Sequence, residues 1–341
     1  MNNVTKGSIY AIVSAASYGL NPLGGLMLGR EGLNTHTILF SRFTLAVAIL
    51  AMIIAVRAVK GDRTTVRERL LRGFVLGSEA RQVPAARGGE CVLSGLLGSA
   101  WALVLLLAVL FAVSALSLYS SYLYMDSGIA STLLFVYPII VALIMAVFFH
   151  ERITVVTVLS LTLAFVGIAT LNGDSGSGSL NAMGCAMVMT SSLAYSVYIV
   201  MLNRWRVKIP VLTLNMYVMA LCACIIALHS FTADEYRLML LPTANAVGYA
   251  VMLAVVPTVI SLVTMTRAIE LVGSTPTAIM GAFEPLTAVV VGIVVFHEAF
   301  TPAIAVGNLL IIAGVLLIIG SHQVMAFVRL AMRGVRRLRL W

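Results

Sequence analysis

Apolar residues run along this chain in long blocks, interrupted by polar gaps of only a few residues. They do not alternate as a half-buried strand would, nor do they leave the wide polar stripe of a helix facing water. Crossing the hydrocarbon core of a bilayer takes roughly 20 apolar residues as a helix. Ten stretches qualify, at about 7–28, 34–56, 98–123, 128–149, 153–171, 181–202, 210–231, 245–266, 274–296 and 303–321. The third and fourth are divided only by Tyr124-Met125-Asp126-Ser127-Gly128. The first stretch is long enough to span and is followed at once by another, so it is read as a retained helix and not a cleaved signal.

Composition supports a lipid solvent: 61% of the 341 residues are hydrophobic and 10% are charged, against roughly 25% charged in soluble domains. Basic residues of short loops stay on the cytoplasmic side. With ten spans, 19 of the 22 Lys and Arg residues fall on one side, Arg30 and Arg237 on the other, and Arg42 inside a span. Both termini are therefore expected in the cytoplasm. Topology and attraction to anionic lipid account for the net charge of +9, and nucleic acid is not an expected partner. The four cysteines show no metal or disulfide spacing, no nucleotide-binding motif is present, and no cofactor or metal is expected.

The chain repeats itself. Val147-Phe148-Phe149-His150-Glu151-Arg152-Ile153-Thr154 is similar to Val294-Val295-Phe296-His297-Glu298-Ala299-Phe300-Thr301, and the same offset of 147 residues relates Pro138 to Pro285 and Gly167 to Gly314. Earlier in each half, Ser14 and Tyr18 match Ser191 and Tyr195 at an offset of 177. The 30-residue difference is an insertion in the first half, assigned to the basic stretch at about 61–95. A unit of five spans is odd, so its second copy must enter from the opposite side. The predicted fold is thus an all-α integral membrane protein with ten transmembrane helices as two inverted five-helix repeats. Residues 1–172 form the first repeat, 173–180 an external linker, 181–321 the second repeat, and 322–341 a basic cytoplasmic tail.

Ionisable groups within a span cost several kcal/mol unless they meet a partner or water, which makes Arg42 and Glu284 candidates for function. Arg42 could receive a substrate carboxylate through its fork of donors while Glu284 takes an amine or a coupling proton. Against this stands a structural ion pair between the two, or an arginine capping exposed carbonyls. Tyr18, Tyr137, Tyr195 and Tyr198 lie well inside spans, where a phenol needs a polar partner or a wet cavity, though helix packing also uses them. Asn21 adds a polar side chain in span one. Pro22, Pro138 and Pro285 each remove an intrahelical donor and kink a span, as hinges beside a cavity or as ordinary membrane prolines. Gly24, Gly25 and Gly29 are small residues suited to close helix approach. His150-Glu151 and His297-Glu298 lack the second histidine of a zinc-protease motif and are read as capping the helix that follows.

These features resemble the EamA-type repeat of the drug/metabolite transporter superfamily. The resemblance rests on a proline followed thirteen residues later by a glutamate (Pro138 to Glu151, Pro285 to Glu298), on Tyr18-Gly19-Leu20-Asn21-Pro22, on Ser41-Arg42-Phe43, and on Glu284-Pro285. It covers roughly residues 5–56 and 98–320; the long connection at 61–95 departs from it. It implies a ten-helix carrier of the bacterial inner membrane that works by alternating access, commonly exporting amino acids or other small metabolites. The expected partners are a small-molecule substrate and membrane lipid; the oligomeric state is left open. A membrane enzyme would need carboxylates or histidines clustered at one face, and a non-transporting scaffold would not need a charged pair in mid-span.

Overall fold

The computed structural model describes residues 3–60, 100–124, 133–151, 153–172, 181–204, 209–296 and 305–314, with a few isolated positions besides. The insertion at 61–95, the linker at 173–180, the tail at 322–341 and the His297-Glu298 pair lie outside the described residues. Within them every regular element is helical, and no strand occurs.

Among the described residues, six helical stretches are long and apolar enough to cross a membrane: Asn3–Arg30, Thr35–Val56, Trp101–Ser121, Ala182–Arg204, Val211–His229 and Ala244–Val272. They coincide with the first, second, third, sixth, seventh and eighth predicted spans. The first contains α1 (Asn3–Tyr18) and α2 (Asn21–Arg30). Then come α3 (Thr35–Lys60), α4 (Ala100–Ser121), α5 (Tyr137–Phe149), α6 (Val155–Asn172), α7 (Ala182–Arg204) and α8 (Val211–His229). The eighth span is α9 (Ala244–Ala254), a π-helical turn (Val255–Ile260) and α10 (Ser261–Val272). Last are α11 (Ser274–Met280), α12 (Phe283–Phe296) and the apolar helix Ala305–Gly314, here α13.

The fourth and ninth spans are interrupted, and proline is the reason. Pro138 stands in the first turn of α5 and Pro285 in the first turn of α12, as does Pro22 in α2. At a helix start the missing N–H has no intrahelical acceptor to lose, so each proline begins a new helix after a turn and does not bend a continuous one.

The main apolar core runs through the bundle, from Leu28 and Phe43 through Phe111 and Val218 to Ile279 and Ile311, beside a small cluster of Leu118, Ala130, Leu134 and Val188. The outer surface is apolar too: Val147, Phe148, Val294 and Leu309 are 64–72% exposed. In water such a surface would be an aggregation hazard, whereas lipid solvates it without cost.

The two most extensive helix pairs are α1 with α10 and α4 with α7. Ser14 Oγ, on α1, donates to the backbone oxygen of Ser261 at 2.9 Å and lies 3.2 Å from its hydroxyl. Ser191 Oγ, on α7, donates to the backbone oxygen of Ser114 at 2.8 Å and lies 3.0 Å from its hydroxyl. Ser14 and Ser191 are 177 residues apart, Ser114 and Ser261 are 147 apart, so the two contacts are related by the offsets found in the sequence. The α6–α13 crossing behaves the same way. A Cβ on Gly167 would stand 2.7 Å from Gly307 O and 2.8 Å from the Ile311 side chain, and one on Gly314 would stand 2.8 Å from Ser160 O and 3.3 Å from Ala164 N. Residues 160 and 307, and 164 and 311, are again 147 apart.

Gly24 and Gly25 face neighbours closely: a side chain at Gly24 would collide with Leu253, and one at Gly25 would stand 3.1 Å from the Tyr119 ring. The expectation fails for Gly29, where nothing lies within 4 Å. The capping assignment is also corrected. His150 closes its own helix, α5, in the left-handed conformation (φ 52°), and the N–H of Glu151 after it donates back to Met145 O at 3.0 Å. The following helix is capped by Thr154, whose Oγ1 accepts from Thr157 N at 3.1 Å.

Candidate functional site

A pocket opens where α1, α5, α7, α10 and the α11–α12 turn meet, with an empty space of about 330 Å3 counting its mouth. Tyr18, Tyr137, Tyr195 and Glu284 all line it. They come from four different helices, and the local sequence of each sets its place. Tyr18 is the last residue of α1; beyond it, Gly19 passes so close to α12 that a Cβ would stand 2.5 Å from Glu284 O. Tyr137 opens α5 beside Pro138, and Gly281 leaves the room its phenol occupies. Glu284 is in the first turn of α12, after the break at Gly281-Ala282.

The rings form a connected set. Tyr18 and Tyr195, repeat-related by sequence, lie nearly parallel (15°) with centroids 6.5 Å apart, and Tyr137 meets the Tyr195 ring edge-on at 5.1 Å. Tyr137 donates to Ala278 O at 3.3 Å and Tyr195 to the Met265 sulfur at 3.1 Å. The backbone N–H of Glu284 donates to Gly281 O at 2.8 Å, while its carboxylate makes no hydrogen bond or ion pair among the described residues, Arg42 included.

Asn21, Arg42 and Tyr198 are not in the lining. Tyr198 is buried behind Tyr195, its ring stacked at 6.2 Å. Arg42 is 1% exposed and enclosed by α2, α3 and the π-helical turn. Its Nε donates to Thr258 Oγ1 at 2.5 Å, its Nη1 to Asn21 Oδ1 at 2.6 Å and its Nη2 to Pro257 O at 3.3 Å. Tyr119 adds a donor to the same Asn21 oxygen at 2.9 Å. The guanidinium also lies 5.8 Å from the Tyr18 ring and 5.4 Å from that of Phe43, on the reach of a cation–π contact. Of the alternatives for Arg42, the ion pair with Glu284 does not form, while an exposed carbonyl is capped.

Pro257 itself has no N–H to give to the Leu253 carbonyl in the preceding turn, and the helix widens there into π geometry. Thr258 Oγ1 takes the Leu253 carbonyl at 2.7 Å, and Arg42 holds Thr258 and Pro257 from outside. Sequence reasoning passed over Pro257 and Thr258, although a proline in mid-span was a visible signal. It also passed over Ser261, Met265 and Thr277, which line the pocket. Ser261 could have been found by carrying Ser114 forward through the 147-residue offset.

The comparisons with known proteins agree with this architecture. The model of the EamA-like transporter family matches residues 182–320. An uncharacterized transporter of Archaeoglobus fulgidus is 26% identical over 196 residues, 58% of this chain and 69% of the relative. Among solved structures, one protein known from its crystal structure superimposes with a TM-score of 0.69 at 15% identity, over 92% of this chain and 96% of its own. That likeness is one of fold. Together with the membrane-spanning helices, the match supports an integral membrane protein whose residues 182–320 are similar to the EamA-like transporter family, in keeping with the drug/metabolite transporter superfamily.

Proposed function

We propose that this protein is a secondary transporter that moves a small polar metabolite by alternating access around the tyrosine-lined pocket. In this reading ten spans form two inverted five-helix halves, 1–172 and 181–321, with both termini in the cytoplasm of a bacterial cell and the pocket at mid-membrane in the inner membrane. Export is the favoured direction and an amino acid the first substrate to try. Pro22, Pro138 and Pro285 are the hinges. Asn21, Arg42 and Tyr198 support the pocket walls from behind, while Tyr18, Tyr137, Tyr195 and Glu284 face the cargo.

The observation that carries the proposal is the pair of serine contacts, Ser14 to Ser261 and Ser191 to Ser114, matched at the two repeat offsets, with the first of them lining the polar pocket. Alternating access needs two equivalent packings of one architecture, and related contacts in both halves supply equivalent surfaces on which to rock. A membrane enzyme or a passive scaffold has no use for that equivalence.

Flux into proteoliposomes tests transport: time-dependent, saturable uptake of radiolabelled amino acids is expected, and its absence across a broad metabolite panel would sink the reading. Reporter fusions test topology. Ser175 and the carboxyl end are expected in opposite compartments, and finding both in one would end the inverted arrangement.

A further inference from the structure

The pocket's hydrogen-bonding character is one-sided. Ser14 gives its hydroxyl proton to Ser261 O, Thr277 to Gly273 O at 2.7 Å, Tyr137 to Ala278 O and Tyr195 to the Met265 sulfur. Four of the six lining hydroxyls thus spend their donors on the protein itself, Ser261 can give its own to Ser14 Oγ at 3.2 Å, and that of Tyr18 is left for a guest. What they turn toward a guest is lone pairs, the π faces of the tyrosines and the unpartnered carboxylate of Glu284. Among the described residues of the lining there is no lysine, arginine or histidine. Each of the three nitrogens of Arg42, the nearest cation in these walls, already donates to Thr258, Asn21 or Pro257.

A carboxylate or phosphate guest would therefore meet mostly acceptors and a like charge, with only the Tyr18 hydroxyl among the described lining residues to replace its water. A cationic nitrogen meets the reverse. Tyr18 and Tyr195 stand nearly parallel with centroids 6.5 Å apart, so a cation seated between them is within the ~6 Å reach of both ring faces. The Glu284 carboxylate supplies the counter-charge that a desolvated cation requires.

We propose that this pocket selects its cargo by a positively charged nitrogen, taking amines and small organic cations in preference to zwitterions and excluding anions. The inference rests on the transport reading and narrows it: the ammonium end of a metabolite is what the site recognises, and a carboxylate on the same molecule weakens binding.

The test uses the full chain, purified and reconstituted, with a series matched in its side chain. Leucine, 3-methylbutylamine (leucine without its carboxylate) and N-acetylleucine (leucine without its charged nitrogen) are compared with tetramethylammonium, by equilibrium binding and by flux. The amine and tetramethylammonium are expected to bind at least about tenfold more tightly than N-acetylleucine, with leucine between. Glu284→Gln is expected to lose about tenfold or more of the amine affinity while Glu284→Asp keeps most of it, both variants melting close to the parent. N-acetylleucine binding as well as the amine, Glu284→Gln leaving the affinities unchanged, or neither cation binding would each overturn the proposal. The two readings fail separately: saturable flux of anions alone refutes cation selection and keeps the transporter, whereas cation binding with no flux of any solute keeps the selection and refutes transport.

Discussion

Ser14 and Ser261 are 247 residues apart in the chain, yet the hydroxyl of one donates to the backbone oxygen of the other at 2.9 Å in the most closely packed part of the bundle. Ser191 and Ser114 repeat the contact at 2.8 Å. Interhelical bonds of this kind in membrane proteins are worth about 0.6 kcal/mol on average and up to about 1.7. Ser14→Ala and Ser191→Ala are expected to destabilise by similar amounts in that range, measured by equilibrium unfolding in mixed micelles. A clear cost for one and none for the other would speak against equivalence of the two halves.

Arg42→Lys keeps the charge and loses the fork that spans Thr258, Asn21 and Pro257. Hydrogen bonds made by charged groups contribute about 1.5–3 kcal/mol, so this variant should melt well below the parent. Because Arg42 does not line the pocket, its transport rate should fall while substrate affinity stays near normal. A double-mutant cycle with Thr258→Val should give a coupling of about 0.5–3 kcal/mol. A large loss of affinity with unchanged stability would return Arg42 to substrate contact.

Gly167→Ala and Gly314→Ala force a methyl against backbone across the α6–α13 crossing, at 2.7 and 2.8 Å respectively. The helices must separate, at a cost of about 1–3 kcal/mol for overpacking. Gly29→Ala meets nothing within 4 Å and should be neutral or gain up to about 1 kcal/mol from helix propensity. Thermal melts of the three variants in one detergent check the ranking.

A cluster outside the pocket ties two spans together. His36 Nε2 and His229 Nδ1 lie 2.8 Å apart, joining the start of α3 to the end of α8, and Tyr236 stacks on His36 at 4.4 Å. Removing the His229 ring leaves the buried His36 nitrogen without this partner, a loss of about 1–3 kcal/mol. His229→Leu is expected to lower the melting temperature accordingly, and His229→Gln, whose amide can still bond, to recover part of the loss. A His229→Leu protein that melts with the parent would remove this contact as a brace.

How much of this was written in the chain divides along a physical line. Helix, span and repeat are local or periodic properties: the length of an apolar run, the omission of charge and the recurrence of Pro138 at Pro285 can be counted without knowing any contact. The same counting brought out Tyr18, Tyr137, Tyr195 and Glu284, because a polar group in an apolar run is conspicuous wherever it ends up. Which way such a group faces was not countable. Arg42 and Glu284 looked alike as charges at mid-span, and only packing separated them, enclosing one guanidinium behind a π turn made by Pro257 and leaving one carboxylate facing the pocket. His36 and His229, 193 residues apart, were silent for the same reason. Burial and partnership depend on how helices distant in sequence are rotated against one another, and no single span records its neighbour's rotation.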